Sequence, residues 1–94
     1  MRVDAETEMM NVGAEEATVI YNYRLVNTDA SAITANQMQA ALRPKVVNYA
    51  CTHPGTREEF LNKGITLRYV YHDKIRRRIT SFDVTKKSCA ANGR

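Results

Sequence analysis

Apolar and polar positions follow two different periods along this chain, and the switches between them divide it into strands, helix and strands. From Ala17 to Asn27, ATVIYNYRLVN alternates: Val19, Tyr21, Tyr23 and Leu25 share one face, and Ile20, Asn22, Arg24 and Val26 the other. The run is dense in β-branched and aromatic residues, which predicts a strand. Its first set is wholly apolar or aromatic and is assigned to the core. A shorter strand over Glu8–Val12 comes before it, closed by Gly13 and a turn at Glu15–Glu16, and Met1–Thr7 reads as a loose lead-in.

The period then changes. Between Ser31 and Cys51, apolar residues fall at Met38, Ala41, Leu42, Val46, Tyr49 and Ala50, spaced by threes and fours as on one face of a helix. Asp29 or Ser31 is placed to cap it. Pro44 lacks an N–H and its ring meets the carbonyl of Ala40, so the sequence predicts a kink or break near Arg43. His53-Pro54-Gly55 ends the pattern. Thr56 and Glu59 have the spacing of a capping box for a short helix over Arg57–Asn62, stopped by Gly64.

Alternation returns at Ile65–His72. Ile65, Leu67, Tyr69 and Tyr71 point one way, and Thr66, Arg68, Val70 and His72 the other. After a turn at Asp73–Arg76, a last strand over Arg77–Thr85 sets Thr80, Phe82 and Val84 inward and Ile79, Ser81 and Asp83 outward; Cys89 and a polar tail, AANGR, follow. The order ββααββ predicts an α+β two-layer sandwich: an antiparallel sheet of about four strands with helices packed on one face. Its 94 residues form a single domain, 1–94. Periodicity leaves the strand order open.

So small a chain buries a modest core, which draws attention to Cys51 and Cys89. One ends the long helix and the other follows the last strand, where a staple between layers would sit, and closing that loop would contribute about 4 kcal/mol. Two buried free thiols, as in cytosolic proteins, are the alternative. The net charge of +4 is unevenly spread: residues 1–30 carry two basic and six acidic side chains, residues 31–94 twelve basic and four acidic. That division suits head-to-tail attraction as well as it suits nucleic acid. No segment approaches the ~20 apolar residues of a membrane span, and the opening MRVDAETEMM does not read as a signal peptide.

Candidate chemistry is sparse. Cys51 and His53 stand too close in sequence to face one another in a regular element, and no third group orients them. Cys51, His53, His72 and Cys89 are ligand types without paired ligand spacing. No catalytic residue, metal or cofactor is therefore expected. Tyr21, Tyr23, Tyr69 and Tyr71 beside Arg24, Arg68 and Arg76-Arg77-Arg78 raise a base-stacking platform, but they share parity with Val19, Leu25, Ile65 and Leu67, which places them in the core. The opposite sheet face, with Ile20, Arg24, Val26, Arg68, Val70 and His72, is a mixed apolar and basic surface suited to a dimer or partner interface.

The succession of YNYRLVN, LRPKVVNYAC, TREEFLNKGITLRYVYHD and a cysteine after the last strand resembles small exported α/β domains of bacteria, of periplasmic or lipoprotein type. It is broadly similar to the pilotins of type II secretion. The resemblance implies an oxidised cysteine pair and binding of a partner protein rather than catalysis. It also implies residence in the periplasm or cell envelope, given a leader ahead of these residues; without one the chain would be cytoplasmic. The function expected is a non-enzymatic binding or assembly domain acting on a protein partner or as a homo-oligomer. A nucleic-acid-binding module using the basic two-thirds is the alternative.

Overall fold

The computed structural model describes residues 4–91, so the expected lead-in begins, and the expected polar tail finishes, outside the described residues. Strands β1 (Thr7–Glu15), β2 (Thr18–Leu25), β3 (Thr66–His72) and β4 (Arg78–Val84) form one sheet in chain order. Helix α1 (Ala35–Thr52), a single turn α2 (Pro54–Arg57) and a 3-10 turn at Leu61–Lys63 connect β2 to β3; α3 (Lys86–Ala91) follows β4. The domain is α+β.

The sheet is mixed, not antiparallel as expected. β1–β2 and β3–β4 are antiparallel hairpins, but β2 and β3 run parallel, with Tyr21 beside Tyr69 and Tyr23 beside Tyr71. The helical segment between them is a crossover, and a crossover returns the chain in its original direction. Side-chain alternation is the same for both pairings, so the sequence carries no trace of the difference.

Local chemistry sets the helix limits. Thr34, rather than Asp29 or Ser31, caps α1: its hydroxyl accepts from the Gln37 amide while the Gln37 side chain accepts from the Thr34 amide. Asp29 instead caps the 3-10 turn at Ala30–Ala32. α1 passes Pro44 without a break. Pro44 and Ala40 both lie on the exposed side, where water satisfies the freed carbonyl. The predicted capping box at Thr56 does not form; Thr56 lies inside α2 and its hydroxyl donates back to the Ala50 carbonyl. Gly64, at φ 81°, is the stop expected of it. Residues 86–89, to which the sequence assigned no element, form α3 together with Ala90 and Ala91 of the expected tail, and Thr85 and Ser88 exchange side-chain and backbone bonds at its start.

Leu61, Leu67, Ala50, Val84 and Cys89 are fully buried between α1, α3 and the sheet. Met38, Val47, Ala50 and Cys51 supply the buried stripe of α1. Val47 and Cys51 thus replace two residues of the predicted stripe, Ala41 and Tyr49, which are exposed. Cys51 and Cys89 are joined by a disulfide across 38 residues, tying α1 to α3.

Candidate protein interface

Strand register divides the expected site residues between two faces. Ile20, Arg24, Arg68, Val70 and His72 lie together on the face away from α1, with Val26 just past the end of β2. The face is laced by its own pairs. Arg24 meets Glu8 at 3.0 Å, Arg68 holds Asp83 through two bonds of 2.8 and 3.2 Å, and Asn22 donates to Asn11 at 2.8 Å. Hydrogen bonding and charge from Asp83 raise the already high pKa of Arg68. Val70 is only 8% exposed beneath these side chains. A shallow depression lined by Arg68, Val70, Arg78, Ser81 and Asp83 runs along the β4 side.

The opposite face is open where the helix ends. Strands ~4.8 Å apart make a four-stranded sheet wider than a helix of ~10 Å can cover. α1 and α3 pack on β4, and burial falls away from there. Phe82 and Val84 on β4, and Leu67, Tyr69 and Tyr71 on β3, are buried; Val19, Tyr21 and Tyr23 on β2 are half-buried. Val12, the cross-strand partner of Tyr21 on β1, is 51% exposed.

Rings run across this face as a ladder. Tyr21 stacks on Tyr69 with centroids 5.2 Å apart and Tyr23 on Tyr71 at 5.3 Å; Phe82 continues both rows at 5.8 and 6.0 Å. From the helix side, Tyr49 is 56% exposed and stacks on His53 at 4.9 Å. Its hydroxyl lies near enough to those of Tyr21, Tyr23 and Tyr69 to disfavour their ionisation. Burial is the larger cause, pushing Tyr23 up to about 12 and Tyr69 and Tyr71 up as well. At neutral pH these phenols are hydrogen-bonding, uncharged groups. Val12, Tyr21, Tyr23 and Tyr49 thus form an aromatic and aliphatic trough between β1 and α1. Sequence parity put the strand tyrosines on this face but assigned them, like Tyr49, to the core and looked for an interface on the opposite face. The exposed Val12 could have been found from its place on the first strand of a sheet with one long helix.

The chemical alternatives fare differently. Cys51 and Cys89 are consumed by their disulfide, so neither is a thiolate nucleophile or ligand. His53 caps α2, its Nδ1 accepting from the Gly55 amide at 3.2 Å. His72 reaches the Tyr23 carbonyl through Nδ1 at 3.1 Å. Among the described residues no three His, Cys, Asp or Glu side chains converge as metal ligands. The tyrosines face α1, as their parity with Leu25 and Leu67 placed them, and not the face carrying Arg24 and Arg68, so they form no stacking platform beside those cations.

Asp73, which the sequence reading placed in an ordinary turn, is completely buried. Its carboxylate accepts from the backbone amides of Ala30, Ile75 and Arg77 and from Arg77 Nε, at 2.7–3.2 Å. Burial alone would raise its pKa; the backbone bonds from Arg77, Ala30 and Ile75, with the side-chain bond from Arg77, outweigh it and hold the carboxyl below its ordinary value. This hub joins the β3–β4 turn to the start of the crossover. An Asp three residues before consecutive arginines gives no sign of it.

No protein-family model matches the chain, and no curated protein matches it. Two solved structures share its fold. The pilotin EpsS of the type 2 secretion system of Vibrio vulnificus superimposes with a TM-score of 0.73 at 22% identity, over 92% of this chain and 74% of that one. A Pseudomonas aeruginosa protein classed as secreted superimposes with a TM-score of 0.78 at 17% identity, over 95% and 77%. The pilotin-like arrangement expected from the sequence is therefore present as a fold.

Proposed function

We propose that this chain is an exported, non-enzymatic domain of the bacterial periplasm or cell envelope that binds a protein partner in the trough between β1 and α1. The observation that carries the reading is the row Val12, Tyr21, Tyr23 and Tyr49, rigid rings with low conformational freedom left partly uncovered by the fold's own helix. The disulfide suits an oxidising compartment, and the two structures of like fold are a secretion pilotin and a protein classed as secreted.

The occupant proposed is an apolar segment of another protein with basic side chains at its margin. The β1 side of the trough is acidic, with Glu6, Glu15 and Glu16 exposed. A second copy approaching along β1 would set these carboxylates against their own counterparts, whereas basic side chains would be drawn in. A photo-crosslinking residue at position 49, in the chain expressed in its bacterial host, tests this. A heterologous adduct that forms at 49, is lost in Val12→Glu and does not form from Asn62 supports the reading. Adducts only between copies, or none, overturn it.

The outer face supports a second reading, because Ile20 and Val70 lie there within the basic rim of Arg24, Arg68 and His72, with Val26 at its end. Ile20→Glu, at a half-buried position of that face, should abolish partner binding or self-association there without unfolding the domain, whereas Val70→Glu would place a carboxylate at a buried position and destabilise the fold itself. Unchanged solution mass and unchanged binding would end that proposal. Nucleic-acid binding is separated by salt, since phosphate contacts weaken steeply as counterions are added.

A further inference from the structure

We infer that the β3–β4 hairpin tip is a docking point for an anionic phospholipid surface. Five consecutive exposed residues, Lys74 to Arg78, carry four cations around one aliphatic side chain. That side chain, Ile75, is 63% exposed, more than either Val12 or Tyr49. Arg77 is engaged with Asp29 and Asp73, but among the described residues Lys74, Arg76 and Arg78 form no ion pair. The acidic residues Asp4 and Glu6 precede β1, the far edge strand, at the same end of the sheet as the tip, and Asp29 and Asp73 lie beneath it, so the four cations exceed the carboxylates of the tip itself.

The tip is held rigid from beneath. Asp73 fixes the amides of Ile75 and Arg77, Lys74 N–H donates to the Thr28 carbonyl at 2.8 Å, and Arg24 donates to the Lys74 carbonyl at 3.1 Å. A loop so thoroughly tied down leaves Ile75 little freedom to fold back onto the core. Arg76 stands at φ 70°, a left-handed conformation in which an arginine is uncommon. A strained residue maintained in a fixed loop is a pointer to function.

Shape and composition select the partner. The tip is the end of a hairpin, a convex feature that cannot enclose a ligand. Residues 74–78 contain no aromatic ring on which a base could stack. A plane of negative headgroups over hydrocarbon matches the arrangement: the cations meet the charged layer and the aliphatic apex enters the boundary below it. This contact is independent of the trough, which lies on the β1 side.

The test is co-sedimentation of the oxidised full chain with vesicles of phosphatidylglycerol and phosphatidylcholine, and with phosphatidylcholine alone. Partition should occur only onto the anionic vesicles and should fall steeply with salt. Ile75→Ser should weaken it about tenfold and Arg76→Gly about fivefold; glycine accepts the positive φ, so the turn is kept. Lys45→Ser, on the exposed side of α1, should leave it unchanged. Absence of partition onto anionic vesicles overturns the inference. So does partition indifferent to Ile75→Ser, and so does equal, Ile75-independent binding to heparin, which would mark a general polyanion contact. Circular dichroism checks that each variant is folded.

Discussion

Asp73 shows how much one side chain can organise. It is fully buried, and its two oxygens satisfy three backbone amides and one guanidinium nitrogen. Asp73→Asn keeps the shape but removes the charge and one acceptor, so it should lower the melting temperature more than Asp83→Asn, whose partner Arg68 is solvated. The pH dependence has a definite sign. The folded-state pKa is lowered, so this contribution is in place above the unfolded value of about 4 and is lost as pH falls through the folded value. Urea midpoints measured downward from about pH 6 should therefore drop below about pH 4, and less so in Asp73→Asn. The tyrosines set the alkaline limit. Their folded pKa values are raised, to about 12 for Tyr23. Stability they lend is whole below the unfolded value of about 10 and fades as pH rises through the folded one. Tyrosinate absorbance should accordingly appear later in the native protein than in urea.

At the scale of elements, α1 is a helix stabilised by its ends and its packing more than by its interior. Pro44 removes one backbone hydrogen bond near the middle of eighteen residues and leaves the Ala40 carbonyl to solvent. Pro44→Ala should stabilise the domain by about 1–3 kcal/mol, read from denaturant unfolding at constant m; no gain would mean that α1 needs the local relaxation proline provides to follow the sheet. The C-terminal end of α1 depends on Cys51. α3 has six residues, too few to persist alone, and the disulfide to Cys89 fixes it against Leu61 and Val84. Replacing both cysteines by serine should remove about 4 kcal/mol by loop entropy over the 38-residue separation. Intact mass after thiol blocking, with and without reductant, checks that the bridge is present before this comparison is made.

For the whole molecule, the decisive quantity is width. One long helix over four strands leaves the β1–β2 half of the inner face partly bare, and that shortfall creates the trough. Val12→Glu and Tyr49→Ala fall on exposed positions, so each should change stability by no more than about 0.5 kcal/mol. Loss of crosslinking in variants of unaltered melting temperature would separate binding from folding; a comparable loss of stability would place these side chains in the core. The charge division has a spatial counterpart: acidic residues border β1, and at the β3–β4 tip Lys74, Arg76 and Arg78 stand exposed with no ion pair among the described residues.

The sequence by itself determined the elements and their faces. Val19–Leu25, Leu67–Tyr71 and Thr80–Val84 turn the predicted side chains inward, and Gly64 stops the chain where glycine's left-handed freedom was expected to. These are local properties, written in periods of two and 3.6 and in the stereochemistry of single residues. Caps were legible less well, because Thr34, Ser31 and Asp29 compete within six positions and their geometry depends on where the chain arrives from β2. Only the tertiary structure decided that β2 and β3 run parallel, that Asp73 is a buried hub and that Tyr49 is exposed. Strand direction, burial and helix rotation arise from which elements meet, and alternating side chains look the same in either pairing.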